Sequence, residues 1–135
     1  MGCELWVKVM KEIRTYKDLE VWIEAKALTL IVYKISASFP KDETYGLTSQ
    51  LRRAAVSVPS NIAEGCGRGT FKGTANFLYI ARGSLFEIET QLIIAGELGY
   101  TTQDNLNRAF DQVNKTRKLL HGFIRYYESK TPHNP

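Results

Sequence analysis

The chain has 135 residues, 44% of them hydrophobic and 24% charged, with a formal net charge of +4. That length suits one domain with a real core, and the composition excludes a disordered polymer. No apolar run approaches a membrane span. The start, MGCELWVKV, lacks the basic region and long apolar core of a secretion signal, and Trp6 stands where a myristoylation signal wants Ser or Thr. A cytoplasmic protein is expected. Cys3 and Cys66 are read as free thiols, and with His121 and His133 they make no zinc spacing, so neither a metal nor a cofactor is expected.

Residues 1–15 read as an N-terminal extension. Leu5, Val7 and Val9 alternate like a strand, whereas Leu5, Val9 and Ile13 suit a helix; the segment is either an arm on a neighbouring subunit or a frayed end. Residues 16–128 form the expected bundle and 129–135 a disordered tail. The first helix, LEVWIEAKALTLIVYKISASF, is expected to be capped by Asp18 and stopped by Pro40. Its main apolar stripe is Trp22, Ala25, Leu28, Thr29, Val32, Ile35 and Phe39; Leu19, Ile23 and Leu30 make a second patch.

The second helix runs from about Thr44 to Gly65, with Leu47, Leu51, Ala54, Ala55, Val58 and Ile62 on one face and Arg53, Ser57 and Glu64 opposite. Pro59 lies inside it, so spacing alone allows one kinked helix or two short ones. After a glycine-rich turn, a third helix from about Thr74 to Leu98 has its core line at Phe77, Ala81, Leu85, Ile88, Leu92 and Ala95, and Gly99 ends it. A fourth, capped by Thr101 with Asp104 in a capping box, is lined by Leu106, Phe110, Val113, Leu120, Ile124 and Tyr127. Helices of this length joined by short turns give an all-α, up-down antiparallel four-helix bundle.

More apolar surface is present than one bundle buries. Tyr79, Phe86 and Ile93 recur every seven residues away from the core line of the third helix, and Ile23 and Leu30 repeat the pattern on the first. These five residues are the expected contact between copies of the chain.

Candidate chemistry is sparse. The turn Gly65–Thr70 fits neither a Walker loop nor a dinucleotide fingerprint, because a helix rather than a strand precedes it. Arg117 falls in the apolar line of the fourth helix between Val113 and Leu120, with Glu64 and Glu87 as its expected partners. His121, one turn on, shares its face. The pair suggests the helical ribonucleases of the HEPN class, but their Arg-to-His interval is longer and the polar residue after Arg is missing here. No catalytic residue is assigned. The basic residues point instead to a polyanion: Arg108, Lys115, Lys118 and Arg125 share one outward sector of the fourth helix, and Arg52, Arg53, Arg68, Lys72 and Arg82 add charge elsewhere. Nothing resembles a base-reading motif, so contact with RNA or DNA would be sequence-independent.

The segments YKDLEVW (16–22), YGL (45–47), QLRRAAVSVPSNIAEG (50–65), GSL (83–85) and ETQL (89–92) resemble the four-helix-bundle family encoded in intervening sequences of bacterial large-subunit ribosomal RNA genes. A related branch is the accessory variability protein of diversity-generating retroelements, a basic pentameric barrel that binds nucleic acid and its reverse transcriptase. The resemblance spans Tyr16 to Tyr127. It implies a continuous, Pro-kinked second helix, a homopentameric barrel and no catalytic residues, with a reverse transcriptase as a partner of the related branch. The leading expectation is a non-enzymatic homo-oligomer that binds RNA or DNA as an accessory or scaffold protein. The alternative is a protein-interaction scaffold without nucleic-acid contact; a ribonuclease using Arg117 and His121 ranks last.

Overall fold

A computed structural model describes residues 15–131. Its helices are α1 (Glu20–Ser36), α2 (Leu47–Cys66), α3 (Phe71–Glu97) and α4 (Gln103–Lys130), with short 3-10 turns at Tyr16–Asp18 and Lys41–Glu43. Among the described residues there is no strand, and no helix is long and apolar enough to cross a membrane. α1 packs on α2, α2 on α3, α3 on α4, and α4 back on α1. Short connections make sequential neighbours antiparallel, which gives the expected up-down four-helix bundle. α1 and α3 therefore stand at opposite corners, as do α2 and α4. The readings of the N-terminal extension before Thr15, of Cys3 and His133, and of the last four residues fall outside the described residues.

Helix starts need correction. Asp18 does not cap α1: it belongs to the preceding 3-10 turn, where its carboxylate accepts the Thr15 backbone N–H at 3.4 Å while the Thr15 hydroxyl accepts that of Lys17. The N-cap of α1 is Leu19, which has no side-chain cap and is buried at 2% exposure rather than lying on an outer patch. α2 begins at Leu47, after the Lys41–Glu43 turn, and Glu43 Oε1 accepts the Leu47 N–H at 3.1 Å. α3 begins three residues before the expected Thr74, because Thr70 caps it by accepting the Gly73 N–H at 3.0 Å. Thr102, not Thr101, caps α4 by accepting the Asn105 N–H at 3.2 Å. Asp104 then sits in the first turn, where a carboxylate suits the positive helix end.

Pro59 lies inside one uninterrupted α2. A proline cannot donate to the carbonyl four residues back, so Ala55 O loses its intrahelical partner. The Thr29 hydroxyl on α1 lies 3.0 Å from Ala55 O, and 3.0 Å from Ala25 O on its own helix. Thr29 is thus the donor that lets α2 pass through its proline, a use that its place in an apolar stripe conceals.

Glycines shape the two ends of the α2–α3 and α3–α4 connections. Gly99 adopts φ +76, and the Tyr100 N–H reaches back to Ala95 O at 2.9 Å, which terminates α3. At the α2–α3 corner a Cβ on Gly65 would come within 3.2 Å of both Phe77 Cβ and Thr74 O, and Thr74 donates to Gly65 O at 2.7 Å. That close approach favours glycine, because an added Cβ would press on its neighbours.

The core follows the expected lines with local exchanges. Val21 is buried where Trp22 is only half-buried, and Leu78 fills the position assigned to Phe77. Phe77 instead lies half-buried under the Arg68 guanidinium, 4.3 Å from its ring. On α4 the buried residue between Val113 and Leu120 is Thr116, whose hydroxyl donates to Gln112 O at 2.8 Å. Arg117 therefore leaves the core line.

Candidate nucleic-acid interface

Each helix gives one face to the core and leaves an outward face whose chemistry differs from corner to corner. On α4 the outward sector holds Asp104, Arg108, Asp111, Lys115, Lys118 and Arg125, all exposed. Lys115 is drawn towards α1, its Nζ 3.3 Å from Glu24 Oε1. The Gln112 amide donates to Glu24 O at 2.9 Å beside it, so this pair helps register α4 on α1. Arg108, Lys118 and Arg125 have no ion pair among the described residues. They are the free cations of the face.

The other expected phosphate contacts divide into engaged and open groups. Arg52 Nε donates to Ser36 Oγ at 2.8 Å and the guanidinium covers the Tyr33 ring at 4.6 Å, which ties α2 to α1. Arg68 pairs with Glu64 one turn back, besides covering Phe77. Arg82 covers the Tyr79 ring at 5.1 Å. Arg53 opens on a polar cleft of about 470 Å³ between α2 and α3 that Gln50, Ser57, Ser84, Glu87 and Gln91 also line. Glu87 is the one acidic residue on the same cleft. Lys72 is exposed in the first turn of α3. The nine residues thus form no single patch; the α4 group is the coherent one.

Arg117 meets neither Glu64 nor Glu87. Its Nη1 lies 3.5 Å from Glu89 Oε2 on α3, and it also donates to Asn114. Partly exposed, the pair is a crossing between α3 and α4, of the modest worth usual for such contacts. His121 stays exposed one turn away. The Tyr79 hydroxyl donates to Glu128, a second crossing that holds its phenol above the ordinary range for tyrosine. Together these crossings fix the antiparallel register, which sets Arg82 level with Arg125 and Phe86 level with His121.

The apolar residues expected between copies are distributed as follows. Ile23 and Leu30 are exposed on α1, and Phe86 and Ile93 on α3, each between 44% and 58%. Tyr79 is half-buried against the core. Sequence reasoning missed Ile80 and Ile94, which are also exposed on α3. Their signal is a second seven-residue line, Ile80–Glu87–Ile94, broken by one charge.

Two further titratable groups, one half-buried and one buried, are shifted by desolvation. Burial pushes the Cys66 thiol up to about 11 and the Tyr127 phenol up to about 12, so both stay neutral at ordinary pH. Among the described residues no cluster of His, Cys, Asp or Glu is placed to hold a metal ion.

No curated protein matches the chain. Among solved structures, the fold matches the crystal structure of a protein of unknown function from the S23 ribosomal protein family of Bacteroides thetaiotaomicron. The TM-score is 0.72 at 19% identity, covering 77% of this chain and 97% of that one. At that identity the likeness establishes the fold. The model of the 23S rRNA-intervening sequence protein family matches residues 17–122, which spans all of α1, α2 and α3 and most of α4. The chain belongs to that family.

Proposed function

We propose that this protein is a non-enzymatic, cytoplasmic homo-oligomer that binds RNA or DNA without sequence preference through the outward face of α4. One observation carries the reading: the free cations Arg108, Lys118 and Arg125 stand on the helix that separates two exposed apolar faces. α1 and α3 occupy opposite corners. A contact between Ile23 and Leu30 of one copy and Tyr79, Phe86 and Ile93 of the next would join unlike surfaces. Such head-to-tail contacts close into rings when the rotation allows it, and the family resemblance implies five copies. α4 lies between the joined corners and stays open. Ring symmetry would then repeat its cations, raising local potential and avidity for a phosphate backbone. Arg53, Lys72 and Arg82 are available for further contacts, and Lys115 can join if Glu24 releases it. Arg52 and Arg68 serve the bundle first.

In that role the protein would be an accessory or scaffold for a nucleic-acid process, with a reverse transcriptase as the enzyme served if it follows the related branch. The engagement of Arg117 by Glu89 and Asn114 supports a structural use of that residue over a ribonuclease pair with His121.

The test is binding to a structured RNA and to a mixed-sequence DNA duplex across a salt series. For the duplex each phosphate neutralised contributes a slope of about −0.9 in log K against log salt. Reversing Arg108, Lys118 and Arg125 to Glu should flatten that slope and abolish tight binding. Tight binding that survives the reversal moves the site off α4. No binding by the wild type at low salt leaves the protein-interaction scaffold as the better reading.

A further inference from the structure

The exposed apolar faces of α1 and α3 each contain a single exposed charge, and the two charges have opposite sign. On α1, Lys26 follows Ile23 by three residues and precedes Leu30 by four, which puts all three on one helical face. Glu24, which also falls between them, is turned towards α4 and held by Lys115. On α3, Glu87 lies seven residues after Ile80 and seven before Ile94, next to Phe86. The other charges of that stretch are engaged, Arg82 over the Tyr79 ring and Glu89 with Arg117. Neither Lys26 nor Glu87 has an ion pair among the described residues. Lys26 holds its Nζ 5.1 Å from the Trp22 ring centre, and Glu87 shares a cleft with Arg53 without pairing with it.

A contact that closes over either face takes its charge out of water. A charge buried alone is costly, and an opposite charge in good geometry is what offsets it. Each face supplies what the other lacks. The bundle also sets the two charges at one height. Sequential helices are antiparallel, so α1 and α3 run in the same direction. Through α2, Thr29 meets Ala55 O and Ser57 Oγ accepts from Ser84 at 2.9 Å, which puts Lys26 about level with Gly83. Through α4, the Thr116 hydroxyl reaches Glu24 O at 3.4 Å and Arg117 meets Glu89, which puts Lys26 about level with Leu92. Glu87 lies midway between those two levels. A closed ring with its axis along the helices turns one copy into the next without raising it. Lys26 of one copy then arrives at the height of Glu87 of the next.

We propose that Lys26 of one copy pairs with Glu87 of the next at the centre of the α1–α3 contact, and that this pair selects the head-to-tail ring over a two-fold dimer. A two-fold contact centred on these positions would set Lys26 against Lys26 or Glu87 against Glu87, and like charges brought together suppress the wrong arrangement. The pairing rests on the proposed assembly through α1 and α3 and adds what fixes its register.

The test is a charge exchange in the full chain, read as mass by light scattering over a dilution series. Lys26→Glu and Glu87→Lys should each raise the concentration at which the assembly falls apart by about tenfold or more, because each sets like charges together. Both positions are exposed, so the helical circular dichroism should match that of the wild type. The double exchange, Lys26→Glu with Glu87→Lys, should return the midpoint to within about threefold of the wild type. A double exchange as weak as the weaker single overturns the pair. So do singles that keep the wild-type midpoint while Phe86→Asp loses mass, an outcome that leaves the α1–α3 contact standing without the pair. A wild type of one or two chains, or a Phe86→Asp of unchanged mass, overturns the assembly itself and the pair with it.

Discussion

α3 and α4 are the two longest helices and bury nine residues each, yet their outward faces differ. α4 presents Asp104, Arg108, Asp111, Lys118 and Arg125, a face finished for water. α3 presents Ile80, Phe86, Ile93 and Ile94, four large apolar side chains between 42% and 53% exposed. Inward patterns make both helices members of the same bundle. The outward patterns separate the uses proposed for them: an apolar free side would suit another protein surface, and unpaired cations an anionic one.

The inward equivalence is the easiest part to break. Leu92→Ala on α3 and Leu120→Ala on α4 both empty positions that are almost wholly buried. Each should cost about 2–5 kcal/mol in urea unfolding. A negligible cost for either would mean that its helix is not anchored as described.

A smaller effect sharpens the distinction between an apolar position and a hydrogen-bonding one. Thr29→Val keeps the shape on α1 but removes the donor to Ala55 O beside Pro59. The unsatisfied buried carbonyl should cost about 1–3 kcal/mol. In a Pro59→Ala background the restored N–H should recover most of that loss; equal costs in both backgrounds would contradict the assigned role.

The smallest effect is alkaline and belongs to the end of the bundle where α2 and α4 both finish. Cys66 ionises near 9 when free and near 11 in the fold, and Tyr127 rises from 10 to about 12. For both groups the folded protein holds the proton longer than the unfolded chain. Stability should therefore be complete below pH 9 and decline as pH rises through 11 and 12. Tyr127→Phe should weaken that decline in thermal melts; an unaltered pH profile would show that the phenol does not contribute.

Much of this fold is legible in the sequence because apolar residues recur at helical spacing, and the order of four helices follows from it. The misplacements come from competition between neighbouring positions. After Val113 the next inward position can be 116 or 117, and Thr116 wins because its hydroxyl is satisfied by Gln112 O within the helix. Arg117 then reaches Glu89, a partner that no pattern within one helix reveals. Trp22 looks like core by hydropathy, but it lies at a groove edge against Tyr16 and Lys26 while Val21 turns inward. Caps shift by one or a few residues because Thr101 and Thr102 offer the same hydroxyl and only the backbone decides between them. For the candidate site, charge at helical spacing marks the outward face of α4. It does not show that Arg52 and Arg68 are already engaged, since their partners come from rings and from other helices.

The most direct measurement is the mass in solution of Phe86→Asp beside that of Lys118→Glu, by light scattering at matched concentration. Phe86→Asp should fall to smaller particles, while Lys118→Glu should keep the mass of the wild type. An unchanged mass for Phe86→Asp would contradict the assignment of α3 to assembly, and with it the reason for α4 to stand open to a polyanion.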